Sequence, residues 1–182
     1  MPSSVRFVDC LRADLVRLSA GPDLATGFRL WIRILHPRYF PVLLVRLSAS
    51  CFRNPLSRPL AFLFSGLNLV LFGLEVTPRC RIGGGLLLPH TVGTVIGAFE
   101  IGSNTTIFQG VTLGARSLDF GYDPSRRPII GDNVVVGAGA KVLGGIKIGN
   151  GAVIAANSLV LSDVRDNARV MGIPAEERGT TA

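Results

Sequence analysis

At 182 residues, 48% of them hydrophobic and 17% charged, the chain has the material for a buried core and is not a disordered polyelectrolyte. Its net charge of +7 suits nucleic acid, an anionic membrane or a polyanionic ligand, but the arginines are scattered, with no lysine tract and no aromatic ladder, which argues against nucleic acid. Cys10, Cys51 and Cys80 have no metal-ligand spacing, so reduced thiols packed as small apolar residues are expected, with no metal site. The leading MPSSVRFVDC has neither the apolar run nor the small-residue cleavage site of a signal peptide, and a cytoplasmic protein is expected.

In chain order, residues 4–19 carry Val5, Val8, Leu11, Leu15 and Leu18 at helical spacing. Gly21-Pro22 breaks that pattern, and a second helix is predicted over 24–35 with Phe28, Trp31 and Ile32 on its buried side. His36-Pro37 ends it, because the residue before proline disfavours the helical region, and a structural or capping role is the default for His36. A third helix fits 40–52 and a fourth 57–72, ending at Gly73. The fourth is apolar nearly all round yet shorter than the ~20 residues of a membrane span. It reads as a buried bundle or subunit-interface helix; the competing reading for 60–74 is peripheral docking on an anionic membrane beside Arg46, Arg53 and Arg58.

Helical spacing stops at Gly73, and a period of six begins. Aliphatic residues recur at Val76, Ile82 and Leu88, then one position late at Val95, Ile101, Ile107 and Leu113, then at Ile130, Val136, Val142, Ile148, Ile154 and Val160. Small or apolar residues follow four positions later, as at Val134, Ala140, Ala152 and Ser158. A fixed six-residue repeat specifies a parallel β-helix, three hexads to a triangular coil, with Gly, Asn and Asp at the left-handed corners. The predicted organisation is an α-helical oligomerisation domain over 1–74 and a β-helix over 75–182, the two ends of which the helices and the 166–179 tail would cap. One segment breaks the phase after Leu113: ARSLDFGYDPSRRP (115–128), carrying an inserted loop over 116–128 with Arg126 and Arg127 adjacent. Insertions in a solenoid protrude from one face and often carry the binding site; a surface excursion without function is the alternative.

Few residues could do chemistry. His90 follows the inward Leu88 by two positions, beside the phase slip and among glycines that leave room for a ligand. A lone histidine is ordinarily structural; that placement makes a general base the competing reading. Glu75 lies fifteen positions earlier, nearly one coil, where a carboxylate could orient the imidazole; a solvated turn residue is the alternative. The glycines of GAGAK (137–141) fall inside the period and read as corners rather than as a phosphate loop.

The motifs LRADL, LEVTPRCRIGGGLLLPHTVGTVIG, IFQGVTLG, PIIGDNVVVGAGAKVLGGIKIGNGAVIAANSLV and VMGIPA, in that order, resemble the serine acetyltransferase branch of the hexapeptide-repeat acyltransferases. The resemblance implies a left-handed parallel β-helix behind an α-helical domain, and a homotrimer, pairing in serine acetyltransferases into a dimer of trimers, with active sites between neighbouring β-helices. It implies acetyl-CoA as co-substrate lying along the outside of the coils, no bound cofactor, and direct transfer to a hydroxyl. His90 matches the catalytic histidine and Glu75 the position of its paired aspartate. Gly114 and Ala138 match segments that line the donor groove, with Ala156 and Asn157 on the following coil. Two departures concern the acceptor. Pro89 stands where serine acetyltransferases typically have Asp, and Arg126-Arg127-Pro128 replaces their Arg-His-Pro. Losing a carboxylate and an imidazole weakens recognition of an amino acid. The pattern is similar to polysaccharide-cluster proteins thought to O-acetylate sugars, with Arg126 and Arg127 suited to an anionic acceptor. A sugar acceptor in exopolysaccharide or capsule synthesis is therefore the first expectation, serine in cysteine synthesis the second, and a non-catalytic hexapeptide scaffold the third.

Overall fold

The computed structural model describes residues 7–19, 36 and 38–180. The expected second helix, with Trp31, lies outside the described residues. Among the described residues, helices α1 (Phe7–Ser19), α2 (Phe40–Phe52) and α3 (Arg58–Phe72) precede fourteen short strands. The His36 carbonyl accepts from Tyr39 and Phe40 N–H and its Nδ1 from Arg38 N–H, so it holds the turn that leads into α2, whose N-cap is Tyr39. α3 stops where Gly73 turns left-handed (φ 59°), and β1 (Leu74–Val76) follows at once.

Three sheets form the faces of the coil. The first contains β1, β3 (Thr94–Ile96), β6 (Thr112–Gly114), β9 (Lys141–Leu143) and β12 (Leu159–Val160). β2 (Arg81–Ile82), β4 (Glu100–Ile101), β7 (Ile129–Ile130) and β10 (Lys147–Ile148) make the second. The third runs β5 (Thr106–Ile107), β8 (Val135–Val136), β11 (Val153–Ile154), β13 (Ala168–Gly172) and β14 (Ala175–Thr180). Every pairing is parallel except the closing hairpin β13–β14, where an irregular coil and tail was expected; β13 extends the third sheet beyond β11, and β14 folds back on it.

The periodic aliphatics fill the interior: Leu88, Ile107, Leu113, Val136 and Val142 have no exposed surface, and the residues four positions on (Val134, Ala140, Ala152) are equally closed. Corners stack one left-handed residue above another, Gly93, Gly110, Gly139 and Asn157 in one column and Gly85, Asn104, Asn133, Gly151 and Asn167 in another. The fit is close: a Cβ on Gly137 would sit 2.6 Å from Ala156 N. Trimming one methylene inside such a core is felt. Ile154→Val is expected to cost about 0.5–1.5 kcal/mol, read as a lower urea midpoint at unchanged slope.

The phase slip differs in detail from the sequence pattern. Val95 is not the inward residue. Ile96 is, at 1% exposure, while Val95 pairs with Glu75 and Thr112 on the outer surface. From Leu88 to Ile96 is eight positions, and from Ile96 to Ile101 only five. Two residues are thus added at the corner holding His90 and one is removed at the next, which leaves the net slip of one. The larger corner is the one that carries the histidine.

The helices are bolted to the first coil by charge. Arg46, 6% exposed, donates to both Asp14 carboxylate oxygens (2.9 and 3.0 Å) and to the Ile82 and Gly83 carbonyls (both 2.6 Å). Asp14, the acid of LRADL, accepts in turn from Gly85 and Leu86 N–H at 2.8 and 2.9 Å. Arg17 reaches the Gly85 carbonyl and the Thr106 hydroxyl. α3 leans on α2 through Ser48, whose hydroxyl donates to the Ala61 carbonyl, and through Asn68, which donates to the Pro41 carbonyl. Only Ala61 and Asn68 of α3 are buried; Leu60, Phe62, Leu63, Val70 and Leu71 face outward. In the single chain α3 is not a buried bundle helix, because α2 covers only one stripe of it, and of the expected pair of readings, bundle or subunit interface, only the second fits so open a face. The segment Pro55–Phe72 is long and apolar enough to cross a membrane by length and composition.

Candidate active site

His90 sits at the enlarged corner between the third and first sheets. Its backbone neighbours are fixed: the Thr91 hydroxyl donates to the Phe72 carbonyl at 2.9 Å, Gly93 N–H to the Gly73 carbonyl at 2.9 Å, and Gly110 N–H to the Val92 carbonyl at 3.1 Å. The imidazole itself is exposed. Thr91, which ties the corner to the end of α3, was not signalled by any sequence pattern.

The corner column below His90 holds three of the expected donor-side residues. Gly139 N–H donates to the Gln109 carbonyl and Asn157 N–H to the Ala138 carbonyl, both at 2.8 Å, so Ala138 on one coil lies against the Ala156-Asn157 pair on the next, along the same edge. Lys141 Nζ, on β9, donates to the Gly110 carbonyl in this column. Gly114 lies away from the edge, at the far end of β6, where a Cβ would meet nothing within 4 Å.

Glu75 projects from the outer surface of β1, in register with Val95 rather than stacked beneath His90, because the enlarged corner lengthens the first coil to twenty positions. Within the chain no hydrogen bond or ion pair joins Glu75 to His90, both of which are described residues. Glu75 instead lines one end of a groove of about 790 Å³, with Val95, Thr112, Gly97 and Gly114 as its floor and the inserted loop as its wall.

The inserted loop, 115–128, folds back on the coil. Tyr122 donates its hydroxyl to the Ala98 carbonyl at 2.7 Å, and Arg79 donates to the Gly121 carbonyl at 3.1 Å. Arg116 donates to the Leu143 and Leu161 carbonyls of the later coils. Arg127 is turned inward, with Nη2 2.8 Å from the Asp119 carboxylate, Nη1 2.8 Å from the Gly97 carbonyl and its guanidinium 3.9 Å from the Tyr122 ring centre. Arg126 is exposed; its side chain donates to the Ser117 hydroxyl and lies in the field of the Asp119 and Asp123 carboxylates. The two adjacent arginines are thus separated by direction.

Burial would raise the Asp119 carboxyl, but the Arg127 hydrogen bond and the Asp123 N–H hold it below the usual carboxylate range. A depressed folded-state pKa stabilises the loop above the ordinary carboxylate value, and this contribution is lost as pH falls through the lowered one. Amide exchange in the loop is therefore expected to stay constant from pH 7 down to about 4 and to accelerate only in stronger acid, once the intrinsic pH dependence of exchange is divided out. Burial likewise pushes the Tyr122 phenol up, so its hydroxyl remains a donor throughout.

Residues 127–162 match the family model described as bacterial transferase hexapeptide (six repeats). The chain is 45% identical over 116 residues to a serine acetyltransferase of Bacillus pumilus, covering 63% of this chain and 52% of the relative. Its fold superposes on the Neisseria gonorrhoeae serine acetyltransferase solved in complex with serine, with a TM-score of 0.80 and 32% identity over 97% of this chain and 71% of that one. The chain belongs to the serine acetyltransferase family of hexapeptide-repeat transferases. Its coil is accordingly the parallel β-helix that the six-residue period predicts, with the left hand that the resemblance implies. A serine acetyltransferase in complex with CoA also aligns, at a TM-score of 0.77 and 29% identity over 97% of this chain and 71% of that one. The chain spans about half the length of the curated relatives it matches.

Proposed function

We propose that the chain is an acetyl-CoA-dependent O-acetyltransferase with His90 as general base. The observation that carries this is the exposed imidazole on a rigid, enlarged corner above the Ala138–Asn157 edge, in a chain of this family. His90 takes the proton of an acceptor hydroxyl, the oxygen attacks the thioester carbonyl, and the carbon–sulfur bond breaks to release CoA. His90 then returns its proton to the departing thiolate. Backbone N–H groups at the corner steady the oxyanion. CoA runs along the Ala138, Ala156 and Asn157 edge toward Gly114; that a serine acetyltransferase aligning with this chain was solved in complex with CoA supports CoA as the donor carrier. Glu75 orients the imidazole when the site is assembled, and Arg126 faces the acceptor from the loop. A trimer completes the site, the helical segment supplies oligomer contacts, and the work is done in the cytoplasm, with the outer face of α3 available to a membrane surface.

L-serine is the first acceptor, because the relatives over the whole fold are serine acetyltransferases. A sugar hydroxyl is the second reading, favoured by Pro89 in place of a carboxylate before His90 and by Arg126, an exposed cation of the loop suited to an anionic acceptor. One assay separates them: acetyl-CoA with L-serine, following free CoA and the mass of the product. Serine-dependent CoA release with O-acetylserine formed supports the first reading; CoA release only with an oligosaccharide acceptor supports the second.

A further inference from the structure

We propose that Arg127 is the positioning residue of the inserted loop: its guanidinium clamps 115–128 to the coil, so that Arg126, its chain neighbour, is presented outward as a preset cation. The functional half of this inference rests on the O-acetyltransfer reading; the clamp itself does not.

Four donor contacts use up most of the guanidinium. Nε and Nη2 take the Asp119 carboxylate at 3.1 and 2.8 Å, Nη2 also takes the Asp119 carbonyl at 3.2 Å, and Nη1 takes the Gly97 carbonyl at 2.8 Å. One partner belongs to the loop and the other to the coil, so the side chain is a bridge between them. Its side chain is 12% exposed and that of Asp119 5%, which leaves no room for an acceptor. The Tyr122 ring lies under the guanidinium, and Arg79 lies against the same ring at 5.4 Å. Tyr122 holds φ at 57°, a left-handed conformation that a bulky residue keeps only when its surroundings over-determine it. The far side is equally fitted: a Cβ on Gly145 would lie 1.9 Å from the Ser125 carbonyl oxygen, so the stretch carrying Arg126 rests directly on a coil glycine. With the loop held on both sides, Arg126 projects at its outer surface.

The planar fork matters, because a lysine ammonium is a single point and cannot reach the Asp119 carboxylate and the Gly97 carbonyl together. The test is amide exchange by mass spectrometry on the full chain, read at Asp123, Arg126 and Arg127, whose N–H groups bond to Asp119 Oδ2, the Asp123 carbonyl and the Pro124 carbonyl. Arg127→Ala and Arg127→Lys should each speed exchange there by about tenfold or more with the β-helix amides unchanged. Arg126→Ala, which loses only the bond to Ser117, should speed exchange at Asp123 and Arg127 far less than Arg127→Ala does. Gly145→Ala, which touches no charge, should speed it as Arg127→Ala does. Kinetics with acetyl-CoA and L-serine form a second arm. Arg126→Ala should raise the KM for serine, whereas Arg127→Lys should lower kcat/KM although it keeps the charge. Wild-type loop exchange in Arg127→Ala, or full rescue by Arg127→Lys, overturns the clamp. Absence of serine turnover in the wild type counts against the serine reading and leaves the exchange result to decide the clamp.

Discussion

His90→Ala is expected to lower kcat by at least about 10²-fold while leaving the melting temperature unchanged. The two halves of that expectation come from different observations. The corner's backbone is fixed by Thr91, Gly93 and Gly110 through bonds that do not involve the imidazole, and the side chain is exposed, so its removal opens no cavity. A general base that takes the acceptor proton contributes roughly 10²–10⁴ to the rate, and no other described imidazole lies at this corner, since His36 sits in the turn before α2. Equal losses in kcat and kcat/KM would place the missing interaction in the transition state. A His90→Ala protein that keeps wild-type turnover would remove the histidine from the chemistry and favour the scaffold reading.

Arg46→Ala is the substitution expected to damage the fold most. Arg46 and Asp14 are 6% and 2% exposed, and together they satisfy the Ile82 and Gly83 carbonyls and the Gly85 and Leu86 N–H groups at a corner of the first coil. Truncating the arginine leaves a buried carboxylate without its cation and two carbonyls without donors, a loss of about 3–5 kcal/mol. For a domain of this size the melting temperature should fall by roughly 10 °C. Combining Arg46→Ala with Asp14→Ala should cost less than the two single losses added together, because the second removes the charge that the first strands. Simple additivity in that cycle would mean that the pair is not coupled.

How much of this could be read in the residues depends on the reach of each interaction. The six-residue period is a local rule, and it located the coil, its inward residues from Ile101 to Val160 and the inserted loop. At Val95 and Ile96 the same rule misled by one position, because both are aliphatic and two compensating length changes sit at adjacent corners. A net shift of one hides an addition of two and a deletion of one. Burial resolved what pattern could not, since Ile96 is closed and Val95 is not. The roles of Arg126 and Arg127 were still less legible. Side by side they are two equivalent cations; what separates them is a carbonyl at Gly97 and a ring at Tyr122, which only the closed coil brings near. Asp14 and Arg46 pose the same problem across thirty-two positions. Glu75 and His90 were linked by counting one coil between them, and the enlarged corner shifts that count so that Glu75 falls under Val95.

The site proposed at the His90 corner stands on one reaction. The most direct measurement is release of free CoA from acetyl-CoA by the full chain, with and without L-serine, beside the His90→Ala protein, with product mass recorded. CoA release that requires the hydroxyl acceptor, yields its O-acetyl ester and disappears in His90→Ala is the predicted result. CoA release at the same rate in both proteins, or an acetyl group found on the protein instead of on the acceptor, would contradict direct transfer from this corner.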